Sequence, residues 1–246
     1  MPDAEFRLLE PHLRQIDLPL GMYLQRAGEP GTSVYFLNHG LASLVVETSN
    51  GKSVEVGVSG PEDMVGWLLP EGMATLHSVI VQVPGHGFQA NARDVNQLLP
   101  SVPQFRDAVF KRVAIRSVLM AQNAACNRLH AVRQRLARWL LVTQDRLNTN
   151  LVTTTHDFLS KMVGADRATV TLAANAIQRA GAIRNGRGSV TIIDRQKLES
   201  ESCECYAAFS RFNADLGLPD LDESAPSADQ SAQERKLGRP TAAGEL

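Results

Sequence analysis

The residues best able to do chemistry lie in one stretch, Thr155 to Gly181 (THDFLSKMVGADRATVTLAANAIQRAG). Over its second half Arg167, Ala168, Thr171, Leu172 and Asn175 share one helical face. Val170, Ala173, Ala174 and Ile177 share the opposite face. A guanidinium, a hydroxyl and an amide spaced along one face are groups that can read base edges and phosphates when a helix enters a major groove. Two other sets are of ligand-bearing types. Cys203 and Cys205 stand two residues apart in a segment that reads as one helix, 195–209. Cysteines at i and i+2 of a helix point to different sides, so no chelate with Cys126 is expected and no metal site is assigned. His77 and His86 fall on separate predicted strands with no H-x-H pair, which is a poor start for an oxygenase-type metal centre.

For that face to reach a groove, two helices and a corner must hold it. Thr155 (or Thr154, with Asp157 three residues on) can cap a first helix whose Phe158, Leu159 and Met162 share a face. Gly164 supplies the left-handed backbone of the corner. Asp166 is then the N-cap of a second helix that ends at Gly181. This is the sequence form of a helix-turn-helix. Many purely structural helix pairs share it, so the pair alone leaves DNA binding and simple packing both open.

Charge distribution favours the first. The net charge of −1 hides an asymmetry: residues 1–100 hold 5 basic against 11 acidic residues, 101–212 hold 17 against 8, and 213–246 hold 3 against 7. A basic surplus in the segment with the helix pair suits a polyanion partner, because neutralised phosphates release counterions. Solvated helix faces would serve equally for Arg133, Arg135 and Arg138. No apolar run is long enough for a membrane span, and the acidic N-terminus lacks a signal-peptide core, so a cytoplasmic protein is expected. Three cysteines suggest no disulfide framework.

Along the chain, residues 3–14 read as an amphipathic helix with Phe6, Leu9 and Leu13 inward. Short β-type runs follow: Leu18–Leu24, Val34–Leu37, Ala42–Thr48, Ser53–Val58, Val79–Val83 and His86–Ala90. Turn residues separate them at Gly28–Gly31, Asn38–Gly40, Asn50-Gly51 and Pro84-Gly85. That spacing predicts a small antiparallel barrel or jelly roll. A long helix starts at Pro103 and runs to about Asn127. Phe110, Val113, Ser117, Met120 and Ala124 form one stripe on it, proposed as a dimer interface. Ala108, Ile115, Leu119 and Gln122 form a second stripe, against the barrel. A helix over Leu129–Arg146 has Leu129, Val132, Leu136, Trp139, Leu140 and Thr143 inward and its arginines outward. After the helix pair, Ile183, a turn at Asn185-Gly186 and a return strand Ser189–Ile193 read as a β-wing carrying Arg184 and Arg187. From Asn213 onward the composition is that of a disordered tail.

The fold class is therefore α+β. Residues 1–100 form a barrel domain, 101–128 a connecting helix proposed to dimerise, 129–212 a winged helix-turn-helix domain and 213–246 a tail. With G-x-x-R-x-T-V at Gly164, Arg167, Thr169 and Val170, the chain resembles the Crp/Fnr family of bacterial transcription regulators over residues 6–206. The resemblance implies a homodimer on duplex DNA, RNA polymerase as a partner, and a barrel that reads a small-molecule signal. It makes Arg167 the guanine reader, with Asp166 and Thr169 near the backbone and Thr155 also among the DNA-binding residues. Ala168 and Leu172 stand where well-known members carry Glu and Arg. They can meet thymine methyl groups, which implies a less G-rich operator.

The resemblance also places an effector pocket at Gly66, Trp67, His77, Ser78, Met120 and Ala121. Cyclic-nucleotide-binding members have a Gly-Glu pair and an Arg-Ser pair where this chain has Gly66-Trp67 and His77-Ser78, and a Thr-Ser pair at Met120-Ala121. These three departures argue against a cyclic nucleotide. The N-terminal region has no cysteine for an iron–sulfur cluster. Haem could use His77 or His86, but a lone histidine in a barrel is more often structural. No cofactor is expected. The competing reading is a cupin-like metal-dependent enzyme on the same barrel.

Overall fold

We describe a computed structural model of the chain, covering residues 1–61, 63–66 and 73–216. Its elements are α1 (Asp3–Leu9), β1 (Arg14–Leu18), β2 (Tyr23–Gln25), β3 (Ser33–Glu47), β4 (Ser53–Ser59), β5 (Met64–Gly66), β6 (Ser78–Asn91), α2 (Ala92–Leu98), α3 (Pro103–Leu129), α4 (Val132–Leu147), β7 (Leu151–Thr153), α5 (His156–Val163), α6 (Arg167–Arg179), β8 (Ile183–Gly186), β9 (Ser189–Ile192), α7 (Arg195–Glu201) and α8 (Cys205–Asp215).

Four of the predicted strands merge into two. Val34–Leu37 and Ala42–Thr48 belong to β3, while Val79–Val83 and His86–Ala90 belong to β6. The intervening turn residues are matched irregularities in one long antiparallel pair, where the register shifts between Leu37 and Ala42. The backbones come so close there that a Cβ on Gly85 would lie 1.9 Å from His39 O, and one on Gly40 2.7 Å from Val83 O. Only glycine fits such a crossing, and it bends the pair so that the sheet order β1-β6-β3-β4 wraps round a core of Leu18, Tyr35, Leu37, Leu44 and Val81. The short strands β2 and β5 pair with β6 and β3.

Glu5 of α1 is buried and caps α3, whose N-cap Val102 offers no side-chain acceptor. Its two carboxylate oxygens accept from Gln104 N at 3.0 Å and Phe105 N at 2.8 Å. An acid at a helix N-terminus also complements the helix dipole. Contrary to expectation Phe6 is exposed, whereas Leu9 is buried.

The long helix is continuous to Leu129, and α4 starts three residues later, after a break at His130-Ala131. Leu136, Trp139, Leu140 and Thr143 are buried as expected, but Leu129 points to solvent. The expectation that the α4 arginines face outward fails for two of them: Arg135 and Arg138 are only 8% and 6% exposed. Arg138 Nη2 donates to Asn123 Oδ1 of α3, and Arg135 Nη1 donates to the Asn127 carbonyl. Part of the basic surplus is thus internal.

The second core packs α4, α5, α6 and the sheet β7-β9-β8 around Leu136, Leu140, Leu159, Val170 and Ile177. Barrel residue Val45 joins it, and Ile80 packs on it. The segment expected as one last helix is two, α7 and α8. Ser202 closes α7 in extended backbone, so Cys203 lies in a turn and Cys205 opens α8. The expected tail therefore begins inside α8, and residues 217–246 lie outside the described residues.

Candidate nucleic-acid interface

The corner that presents α6 is built from local chemistry. Thr155 Oγ1 accepts from Phe158 N at 3.1 Å, capping α5. Gly164 ends α5 with φ +61°, a conformation that side chains with a Cβ rarely adopt. Asp166 then accepts from Thr169 N at 2.8 Å and from Thr169 Oγ1 at 2.6 Å. These bonds, the hydroxyl's first, hold the Asp166 carboxyl below the usual carboxylate range. Asp166 and Thr169 are thereby occupied with each other at the start of the helix.

Val170, Ala173, Ala174 and Ile177 are buried and fix the rotation of α6, which leaves Arg167, Ala168 and Leu172 outward. Leu172 is 70% exposed and presents an apolar side chain on the same face as Arg167. Arg167 reaches back to α5, where its Nη1 lies 3.0 Å from Asp157 Oδ2. Both partners are largely exposed, so the pair is weak and orients the guanidinium more than it stabilises the fold. Thr171 Oγ1 donates to the Arg167 carbonyl and lies 3.0 Å from His156 Nδ1. The remaining residue of the set, Asn175, is turned to the wing: its Oδ1 accepts from Asn185 Nδ2 at 3.4 Å. Gln178, unnoticed in the sequence, holds the wing more firmly by accepting from Asn185 N at 2.7 Å.

The wing turn is two residues later than expected. Asn185 and Gly186 are strand residues paired with Val190 and Ser189, and the loop is Arg187-Gly188, with Gly188 at φ +73°. Arg187 thus stands at the tip and Arg184 on the strand, both exposed. Strand β7, absent from the sequence reading, pairs with β9 and ties the wing to α4.

The residues expected in the effector pocket have individual roles in the barrel. Trp67 lies outside the described residues. Gly66 has φ +89°, and a Cβ there would meet Ser33 O at 2.5 Å, so strand pairing accounts for it. Ser78 Oγ accepts from Ala27 N at 3.1 Å. Burial pushes the His77 imidazole down, with the Arg116 guanidinium adding to the effect. Met120 packs on the barrel core and does not share the outward stripe of Phe110, Ser117 and Ala124. Ala121, expected in the pocket, is exposed, and Val113 is half-buried. A cavity of about 100 Å³ lies instead between β4, α3, α4 and α8, lined by Glu55, Met120, Arg138 and Tyr206 among others. Among the described residues, the barrel gathers no group of three or more His, Cys, Asp or Glu able to hold a metal. No helix among them is long and apolar enough to cross a membrane.

Comparison with known proteins follows the same division. Residues 134–201 match the Crp-like helix-turn-helix domain, and residues 15–101 match the cyclic nucleotide-binding domain. A CRP-like cAMP-activated global transcriptional regulator of Mycobacterium tuberculosis is 26% identical over 200 residues, covering 77% of this chain and 88% of the relative. The structure of FixK2 from Bradyrhizobium japonicum superposes with a TM-score of 0.67 at 14% identity, over 78% of this chain and 98% of the other. The c-di-GMP-responsive global regulator CLP of Xanthomonas campestris gives a TM-score of 0.63 at 14% identity, over 78% and 99%. Two of these proteins are named for different nucleotides, cAMP and c-di-GMP, so this architecture by itself names no ligand.

Proposed function

The chain belongs to the Crp/Fnr family and is a DNA-binding regulator of transcription; from that premise we propose that two copies pair through α3 and read a near-palindromic site in bacterial DNA. Arg167 carries the reading. It is the exposed guanidinium at the N-terminal end of α6, raised by a capped corner and aimed by Asp157. In a major groove that position meets a guanine edge. Ala168 and the exposed Leu172 meet thymine methyl groups, and Thr155, Thr171 and the wing residues Arg184 and Arg187 lie toward phosphates. Asp166 and Thr169 set the helix N-terminus, and Asn175 acts through the wing. The protein works in the cytoplasm as a regulator without catalytic activity, with RNA polymerase as its target.

A signal reaching the barrel can alter DNA affinity only by favouring one arrangement of α3 and α4 over another. The cavity among β4, α3, α4 and α8 lies at that junction, which supports it as the place where an unidentified small molecule acts.

Selection of bound fragments from random duplexes should return two half-sites about one helical turn apart. Arg167→Ala should then cost about 1–3 kcal/mol at the selected site and relax preference at one base pair of each half. Unchanged specific binding by that variant would overturn the docking.

A further inference from the structure

At the break between α3 and α4, four potential ligands from two distant segments converge. Cys126 lies in the last turn of α3 and His130 is its C-cap, while Cys203 lies between α7 and α8 and Cys205 is the first residue of α8. Cys126 Sγ and Cys203 Sγ are 3.5 Å apart, Cys205 Sγ is 3.7 Å from His130 Nδ1, and all four ligand atoms lie within 4.8 Å of one another. Tetrahedral zinc with bonds of about 2.0–2.3 Å places its ligand atoms about 3.3–3.8 Å apart, so small side-chain movements close the set around one ion. An iron–sulfur cube would spread its ligands farther than this. We propose that Cys126, His130, Cys203 and Cys205 form a closed Cys3His site for a single Zn²⁺ ion, bracing the hinge between the long helix and the DNA-binding domain.

The surroundings support an ion rather than a chance cluster. His130 Nε2 lies 3.0 Å from Glu204 Oε1, which fixes the proton on Nε2 and leaves the Nδ1 lone pair facing the sulfurs. A carboxylate behind a ligating histidine is a recurrent device for orienting the ring and raising its basicity. Gln122 Nε2 donates to Cys205 Sγ at 3.2 Å, a contact that suits a thiolate. All three sulfurs are buried, and His130 is mostly shielded. Three thiolates and a neutral imidazole around Zn²⁺ carry a net charge of −1. Arg135, buried beside Cys126 and Cys203 and without an ion pair among the described residues, is placed to balance it. On binding, the thiols release their protons to solvent and no electron is transferred.

The full-length protein, purified anaerobically under reduction, should contain about one zinc per chain. After removal of zinc, titration with Co²⁺ should saturate at one equivalent with the intense visible bands and thiolate charge-transfer absorption of tetrahedral cobalt. Cys203→Ser and His130→Ala should lose that spectrum, whereas His130→Cys should keep the ion and strengthen the charge-transfer bands. Zinc should raise the thermal midpoint of the wild type and leave that of Cys203→Ser unmoved. The assignment fails if reduced wild-type protein gives no tetrahedral cobalt spectrum or keeps it after Cys203→Ser. It fails equally if the protein carries iron with acid-labile sulfide, or if Cys126 and Cys203 are found joined as a disulfide in place of bound metal.

Discussion

Glu55 is a buried carboxyl on β4 that joins the two halves of the molecule. Its Oε2 lies 2.7 Å from Ser43 Oγ and accepts from Trp139 Nε1 of α4 at 3.3 Å, while its carbonyl accepts from Asn123 and Asn127 of α3. Ser43 Oγ is also 2.6 Å from Gln82 Oε1. One hydroxyl proton cannot serve both acceptors; a neutral Glu55 donating to Ser43, or a Gln82 amide turned to donate, completes the count. Burial indeed pushes the Glu55 carboxyl up from its ordinary 4.5. A group whose pKa is raised by folding stabilises most where it is neutral, and that contribution drains away as pH climbs through the raised value. Glu55→Gln, neutral throughout, should therefore gain on the wild type in thermal midpoint as pH goes from weakly acid to weakly alkaline; a difference constant with pH would remove the carboxyl from this account. Arg187→Ala at the wing tip tests a different kind of residue. It should weaken binding to all duplexes evenly and flatten the log–log salt dependence by about one unit. The exposed positions of Arg167 and Arg187 are legible in the sequence, because they stand beside capping and turn residues whose geometry is local. Glu55 was not, since an acid within a half-polar strand reads as solvent-facing until α4 is laid over it.

Elements were legible where the signal lies within the element. The α5–corner–α6 unit follows from Thr155, Gly164 and Asp166, each satisfying a backbone need within three residues of itself. Strand limits were misread at Asn38–Gly40 and Pro84-Gly85, because a glycine at a bulge and a glycine in a turn look alike until the partner strand is known. The α7–α8 break was missed for a similar reason: nothing in SESCECY forbids a helix, and the turn at Cys203 depends on the distant end of α3. The corner itself has a tertiary role. A Cβ on Gly164 would lie 2.8 Å from Val54 Cγ2 of β4, so the helix pair packs on the barrel through this residue. Gly164→Ala should cost roughly 1–2 kcal/mol from the left-handed backbone and more from the contact. Adding Val54→Ala should restore the contact part alone, and denaturant unfolding of the two single variants and the double variant separates the terms. Full recovery in the double variant would mean that backbone conformation is not limiting.

At the scale of the whole molecule, the proposed pairing asks α3 to serve both the barrel and a second subunit. Its inner side is settled by Val109, Ile115, Met120 and Asn123, which pack or hydrogen-bond inward, and by Cys126, which packs on Cys203 and Cys205. On the opposite side Phe110, 55% exposed, continues through Ala114, Ser117, Val118, Ala121 and Ala125 as an apolar, small-residue strip along the helix. The stripe expected from the sequence shares Phe110 and Ser117 with this exposed strip but runs through Met120, which packs on the barrel core, because its spacing alone does not say which side of the helix the barrel covers. Small residues allow two such helices to approach closely, and a charge between them would be left without water or a partner. Ala121→Glu is the sharpest probe, since glutamate is nearly as good a helix former as alanine and the site faces away from the barrel. Sedimentation should find the variant monomeric and as thermally stable as the wild-type barrel. It should bind a single half-site about as well as the wild type does, while losing the added affinity for two half-sites held one helical turn apart. A variant that stays dimeric would place the pairing surface elsewhere on the molecule. A monomer with undiminished affinity for the palindrome would show that pairing is not what sets the register of the two recognition helices.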